Sequence, residues 1–375
     1  MEFNNAVAWE QRKLGEIAKI TMGQSPDGIN YTDNPKYNIL VQGNADMKNG
    51  QVVPRVWTKQ ITKTAKKGDI ILSVRAPVGE VGKTKYNVVL GRGVSGVEGN
   101  EFVFQLLSKM KLENYWGKYS AGSTFESIKS NEIKAAIASV PEKQEQMKIG
   151  TFLKQLDDTI ALHQRKLEKI KALKTAYLSE MFAAEGETKP KRRFAGFTDD
   201  WEQRKLCELA KITMGQSPEG VNYTDNPRDY VLVQGNADMQ NGHVVPRVWT
   251  KQITKTAKKG DIILSVRAPV GDVGKTNYDV VLGRGVSALE GNEFIFQLLS
   301  KMKAENYWFK YSTGSTFESI NSNEIKEAIV SAPEKQEQMK IGVFFKQLDK
   351  TITLHQRKLQ KLQNIKKAYL NEMFI

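Results

Sequence analysis

The hydrophobic pattern changes character once along the chain and then repeats the change. From residue 142 to 182 there is no proline and only one glycine, Gly150. Apolar positions there step by four and three, through Ile149, Leu153, Leu156, Ile160, His163, Leu167, Ile170, Lys174, Tyr177 and Met181. Such heptad spacing predicts a helix of about 40 residues with a single adhesive seam. Ahead of it, β-rich runs at residues 37–41, 69–74 and 86–90 alternate with Gly, Pro and Asn turns, and residues 101–116 read as one helix. A compact mixed α/β domain leading into a long helix is the expectation.

All of this is written twice. Trp9-Glu10-Gln11-Arg12-Lys13-Leu14 returns as Trp201-Glu202-Gln203-Arg204-Lys205-Leu206, an offset of 192 residues. Residues 9–183 align with 201–375 without a gap; 35 of the 175 positions differ, and none does between 52 and 79. Solenoid repeats run at about 20–50 residues, so this period means a duplicated domain. The second seam reads Ile341, Phe345, Leu348, Ile352, His355, Leu359, Leu362, Lys366, Tyr369 and Met373. The expected organisation is a mixed α/β domain at 1–140, a spacer helix at 141–183, a polar linker at 184–200, a second domain at 201–332 and a second spacer helix at 333–375. Neither seam can bury itself, so the helices should pack on each other. Because both adjoin the second domain, they should run antiparallel. The predicted fold class is α+β: two similar mixed α/β domains separated by two long antiparallel coiled-coil helices, with pseudo-twofold symmetry. A 40-residue helix spans about 60 Å. His163 and His355 then fall near the axis, as packed imidazoles.

Composition narrows the function. The chain has 56 Lys and Arg against 42 Asp and Glu, a net charge of +14, and a pI near 9.5. Such a surplus seeks an acidic partner, most often nucleic acid. Neither a membrane span nor a signal peptide is expected. One cysteine, Cys207, and three histidines leave no disulfide, no metal site and no catalytic triad to assemble, and a reducing cytoplasm is the simplest location.

Three motifs fall short. Gly79-Glu80-Val81-Gly82-Lys83-Thr84 ends like a phosphate-binding loop, but Pro77 stands where a glycine is required, and Pro269 does so in the second copy. Gly91-Arg92-Gly93-Val94-Ser95-Gly96 matches a dinucleotide fingerprint without the helix that must follow directly. Asn34-Pro35-Lys36-Tyr37 faintly resembles the base-gripping element of amino-methyltransferases, and Asn226-Pro227-Arg228-Asp229 loses its aromatic.

Basic and amide side chains do gather at the turns. Gln24, Ser25, Asn44, Arg75, Lys83, Arg92, Ser123 and Thr124 recur as Gln216, Ser217, Asn236, Arg267, Lys275, Arg284, Ser315 and Thr316. Arg and Lys reach guanine O6/N7 and phosphates, and Gln and Asn bond adenine N6/N7 in the major groove. These sixteen are the candidate contacts to double-stranded DNA. Two equal readers related by a dyad should recognise two equal half-sites in inverted orientation.

The Trp-Glu-Gln-Arg-Lys-Leu start with residues 15–26, the strand at 68–73, Pro141-Glu142-Lys143-Gln144-Glu145-Gln146 opening the long helix, and Lys191–Trp201 before the second copy together resemble the specificity (S) subunit of type I restriction-modification enzymes. The resemblance covers nearly the whole chain, twice. It implies target-recognition domains on antiparallel helices that dock two methyltransferase (M) subunits and, through them, restriction (R) subunits. It places S-adenosylmethionine, ATP and Mg²⁺ on those partners and no cofactor on this chain. Lys154, Arg165, Lys166, Lys346, Arg357 and Lys358 are the candidate M-subunit contacts. Family members usually carry dissimilar domains, whereas these are close copies, which favours a split palindrome over an asymmetric target. The spacer length sets a ceiling of about 17 bp between half-site centres. A stand-alone two-headed transcription regulator is the alternative from another class, and a helicase or nuclease a weaker one.

Overall fold

A computed structural model of the chain describes residues 9–120, 127–311 and 319–374. It divides into two compact units, Met1–Arg165 with Gln356–Ile375, and Lys166–His355. Half of each long helix therefore groups with each unit.

In the first unit the strand Ile70–Ser73 is buried at every position. It lies inside a six-stranded sheet ordered Lys19–Met22, Val94–Glu98, Ile70–Ser73, Val81–Lys83, Gln51–Val52, Met47–Lys48. Ile70 and Leu72 face a core with Phe102, Leu107 and Trp116, while Ile71 faces a second core with Val41, Val88 and Leu90. A strand covered on both faces cannot alternate apolar with polar, which is why Ile70-Ile71-Leu72 is unbroken. The second core is closed by a five-stranded sheet ordered Tyr31–Thr32, Val56–Thr58, Asn38–Val41, Val88–Leu90, Lys63–Ala65. The second unit repeats both sheets strand for strand.

The helix covering the first core runs Glu101–Leu112, shorter than the 101–116 read from the sequence. Asn100 caps its start, accepting the Val103 N–H at 3.0 Å. The left-handed Asn114, at φ 53°, follows its end, so Trp116 packs from the following turn. Its first turn rests on the long helix Lys143–Met181 at Gly150. A Cβ there would lie 2.8 Å from the Phe102 nitrogen and 2.9 Å from the Glu101 Cβ. The one glycine in the seam thus permits this close crossing. Gly342 does the same beneath Phe294.

Within each unit the two long-helix segments run antiparallel. In the first, Asp157 meets Lys366 at 2.6 Å and Phe152 meets Tyr369 with ring centroids 4.9 Å apart, so numbers rise on one helix as they fall on the other. In the second, Lys174 meets Asp349 at 2.6 Å and Tyr177 meets Phe344 at 5.2 Å. The two lysines assigned to the seams are there to make these pairs. The end of the second long helix (Lys335–Met373) completes the first unit. Leu370 and Phe374 are buried in its core, and Phe374 stacks on Phe102 at 5.0 Å. Phe182 plays this part in the second unit, stacking on Phe294 at 5.0 Å. His163 is buried and His355 half-buried.

The segment read as a linker is fastened to the second unit. Arg192 Nε donates to Glu180 at 2.6 Å, Arg193 to Glu337, and Phe194 packs against that unit's core. The buried Glu337 carboxylate raises the Arg193 pKa further, chiefly through that hydrogen bond.

Phe374→Ala should remove about 3–5 kcal/mol from the first unit, the usual range for a buried Phe. Hydrogen exchange on the full chain checks this: protection should fall in residues 9–120 and stay unchanged in 201–311.

Candidate nucleic-acid interface

Four chain segments of the first unit are tied together at one edge. The Gln24 N–H donates to the Leu90 carbonyl at 2.8 Å, Gly23 to Val94 at 2.9 Å, Gly91 to Val41 at 2.8 Å and Val74 to Gly93 at 2.9 Å. The crossings are too tight for side chains: a Cβ on Gly23 would sit 2.1 Å from the Gly91 oxygen, and one on Gly93 2.1 Å from the Gln42 oxygen. The buried Asp46 carboxylate accepts the Gln42 and Gly43 N–H groups at 2.7 and 3.2 Å, which fixes the turn carrying Asn44. The Ser25 hydroxyl accepts the Arg92 N–H at 3.2 Å, and Thr62 bonds the Gln24 carbonyl at 2.6 Å.

This network gathers five of the predicted residues: Gln24, Ser25, Asn44, Arg75 and Arg92. The side chains of Gln24, Arg75 and Arg92 are exposed, while Ser25 and Asn44 are half-buried. Gln216, Ser217, Asn236, Arg267 and Arg284 are placed alike in the second unit, with Arg284 N–H on Ser217 at 3.2 Å and Gln216 N–H on Leu282 at 2.8 Å. Arg75 forms an isolated bridge with Ser127, and Arg267 one with Ser319. Ser123, Thr124, Ser315 and Thr316 lie outside the described residues.

Lys83 and Lys275 stand apart from that edge. Lys83 pairs with Ile70 at the far end of the hairpin whose turn carries Arg75. Its ammonium is ion-paired with Glu101 and lies 5.3 Å from the centre of the Phe104 ring. Lys275 meets Glu293 at 2.6 Å and Phe296 at 5.3 Å. Both sit in strands, and Gly93 leads into the strand Val94–Glu98, so neither glycine-containing stretch opens a helix over a phosphate.

Counterions separate the arginines. Arg12, Arg55, Arg192, Arg193, Arg204 and Arg247 each lie beside a carboxylate. Among the described residues, Arg75, Arg92, Arg267 and Arg284 have none, and neither do Arg165, Arg228 and Arg357 away from that edge. An exposed guanidinium without a counterion on a rigid loop is suited to a phosphate or a guanine edge.

The sequence reading missed three neighbours. Gln42 lies in the same turn, its amide donating to the Tyr31 hydroxyl at 3.1 Å, as Gln234 does to Tyr223 at 3.0 Å. Gln60 staples the adjoining loop, accepting from the Asp27 N–H at 2.8 Å and the Asn30 amide at 3.1 Å. At the tip of that loop Ile29 is 90% exposed, and Val221 in the second copy 86%. An aliphatic residue inside an Asp-Gly-Ile-Asn turn was the available signal. Among the described residues no group of three or more His, Cys, Asp or Glu could hold a metal ion, and no helix is long and apolar enough to cross a membrane.

Two copies of one exposed, basic, amide-bearing edge are what a DNA-recognition protein would present. Residues 6–172 and 198–364 each match the type I restriction modification DNA specificity domain, and the chain belongs to that family. It is a recognition subunit of a type I restriction-modification system and works with that system's other subunits on DNA. Among curated proteins it is similar to the type I restriction enzyme MjaX specificity subunit of Methanocaldococcus jannaschii, with 25% identity over 394 residues, 97% of this chain and 92% of the relative. Its fold is similar to that of a type I restriction-modification S subunit from M. genitalium, with TM-score 0.71 and 16% identity over 100% of this chain and 98% of the other. It is also similar to a chain from a structure on assembly and conformational transition of the type I R-M system, with TM-score 0.56 and 20% identity over 99% and 98%.

Arg92→Ala and Arg75→Ala should each cost about 1–3 kcal/mol of site-specific binding while leaving the fold intact. Lys83→Ala should leave DNA affinity unchanged and lower the melting temperature. Titration of labelled duplexes over a range of salt separates the roles: losing a phosphate contact flattens the log–log slope by about 0.9, and losing a base contact leaves it.

Proposed function

We propose that each unit reads one half of a split, palindromic DNA site and that two methyltransferase subunits dock on the exposed faces of the long helices. The observation carrying this reading is that the edge is duplicated without change. Residues 22–26, 40–47 and 88–95 are identical to 214–218, 232–239 and 280–287, and they are held by the same hydrogen bonds. Two identical readers on antiparallel helices call for two identical, inverted half-sites. Methylation of adenine N6, with its S-adenosylmethionine, and ATP- and Mg²⁺-dependent cleavage belong on this reading to partner subunits. The absence of a membrane-crossing helix among the described residues suits action on cytoplasmic DNA.

For the methyltransferase contacts, Leu162, Arg165 and Lys166 follow i, i+3, i+4 spacing, as do Leu354, Arg357 and Lys358. Leu162 is 45% and Leu354 55% exposed, and each carries basic neighbours that lack carboxylate partners among the described residues. Lys154 is a weaker contact because Asp158 already pairs with it. Lys346 faces no such carboxylate, since Lys350 replaces Asp158 in the second copy.

Methylome sequencing of cells carrying the complete system tests the reading. The expected motif has two halves that are reverse complements across an unread gap; two unrelated halves would refute the symmetry. Native mass spectrometry of the purified complex should give two methyltransferase subunits per chain. Tight site-specific binding by this chain alone would instead favour a stand-alone regulator.

A further inference from the structure

The two copies share one helix face, and among the described residues only the second has it covered. Arg193 grips Glu337 with two bonds, Nε at 2.7 Å and Nη2 at 2.8 Å. Phe194 packs edge-on against Phe344 at 6.0 Å, and Lys340 stands 4.6 Å from the centre of the Phe197 ring. Glu337 is completely buried and also takes the Trp201 indole N–H at 3.2 Å.

In the first unit the same positions hold Glu145, Phe152 and Lys148. Among the described residues Glu145 receives only the Trp9 indole, at 3.2 Å, and it stays half-buried. Phe152 is 38% exposed. With Gln144, Met147, Lys148, Thr151 and Gln155 it lines an open groove of about 640 Å³, within the usual range for ligand sites of about 300–1,000 Å³. The positions 192 before Arg193, Phe194 and Phe197 are Met1, Glu2 and Asn5, which lie outside the described residues. None of them is an arginine or an aromatic ring.

We propose that this groove of the first unit is a docking site for a segment of a partner polypeptide of the form Arg-Phe-Xaa-Xaa-Phe, its guanidinium on Glu145 and its first ring on Phe152. The chemistry of the occupant is taken from the second unit, where the groove made by the same helix face is filled by Arg193-Phe194-Ala195-Gly196-Phe197. A half-buried carboxylate beside an exposed phenyl ring offers one charge-assisted anchor and one apolar anchor, the combination that hot spots favour. The second unit cannot take the same guest because its own chain occupies the place.

The probe is a fluorescent peptide with the sequence of residues 189–200, titrated into the full chain and followed by anisotropy against a scrambled control. Saturable binding of one peptide per chain is expected. Glu145→Gln should weaken it at least about tenfold, the loss of one charge-assisted bond. Met147→Glu, at a position 66% exposed and so harmless to the fold, should block the groove. Replacing residues 1–8 by the sequence of 193–200 should abolish binding by filling the groove from within. The proposal is overturned if the peptide does not bind, if neither point variant weakens it while circular dichroism shows both folded, or if the graft leaves binding intact.

Discussion

Each unit turns on one carboxylate at a junction of three helices. Asp157 accepts the Gln105 amide at 2.7 Å and the Lys366 ammonium at 2.6 Å. Asp349 does the same with Gln297 at 2.8 Å and Lys174 at 2.6 Å. Gln105 and Gln297 are fully buried, so the domain helix, the long helix that follows it and the opposing long helix are locked by groups with no cheap alternative. An apolar seam alone tolerates sliding by a turn, about 5.4 Å. A shift of that size would strand a half-buried lysine and aspartate and expose the amide's loss as well. Register is therefore set by polar groups, and the seam supplies adhesion.

The fixed register is what lets the units be complete. Phe374 and Phe182 reach the cores they fill only if the helices lie where the aspartates hold them. Those cores in turn support the Ile70–Ser73 strand and its counterpart Ile262–Ser265, from whose ends the Arg75 and Arg267 turns spring. Adhesion, register and the candidate DNA-contact edge thus form one chain of dependence. Arg193 is neutralised within it, and Arg75 and Arg267 at its end have no carboxylate partner among the described residues.

Much of this was legible in the residues, and the rest was hidden for physical reasons. The duplication, the seams and the two-part organisation follow from spacing, which is a local property of the sequence. The lysines at Lys174 and Lys366 could be placed in the seam but not explained, because their partners lie 175 and 209 residues away. Among the loop residues, Arg92 and Gln24 were singled out because they flank glycines. Lys83 looked the same, but it lies in a strand away from that edge, beside Glu101 and Phe104, neighbours brought by the fold. The 184–200 segment reads as a linker by composition, since its polar residues reveal their purpose only against Glu180 and Glu337. In the other direction, the family resemblance rested on residues 9–26, 68–73, 141–146 and 191–201 and agreed with the whole-chain match.

Divergence between the copies also has a place. One unbroken run of four differences, Lys36-Tyr37-Asn38-Ile39 against Arg228-Asp229-Tyr230-Val231, lies at the start of the strand Asn38–Val41. Gln42 and the turn carrying Asn44 lie just past the other end, roughly 13 Å away at about 3.3 Å per residue. The tight crossings at Gly23 and Gly93 leave the backbone of that turn no freedom to follow changes at the far end of the strand. Sequence drift can therefore accumulate on the flank of each unit, altering a cation–aromatic contact such as Lys59 on Tyr37, without moving Gln24, Arg75 or Arg92 relative to one another. A scaffold of this kind separates what holds the edge from what the edge presents. Two copies that have drifted at 35 positions can then still present the same chemical face.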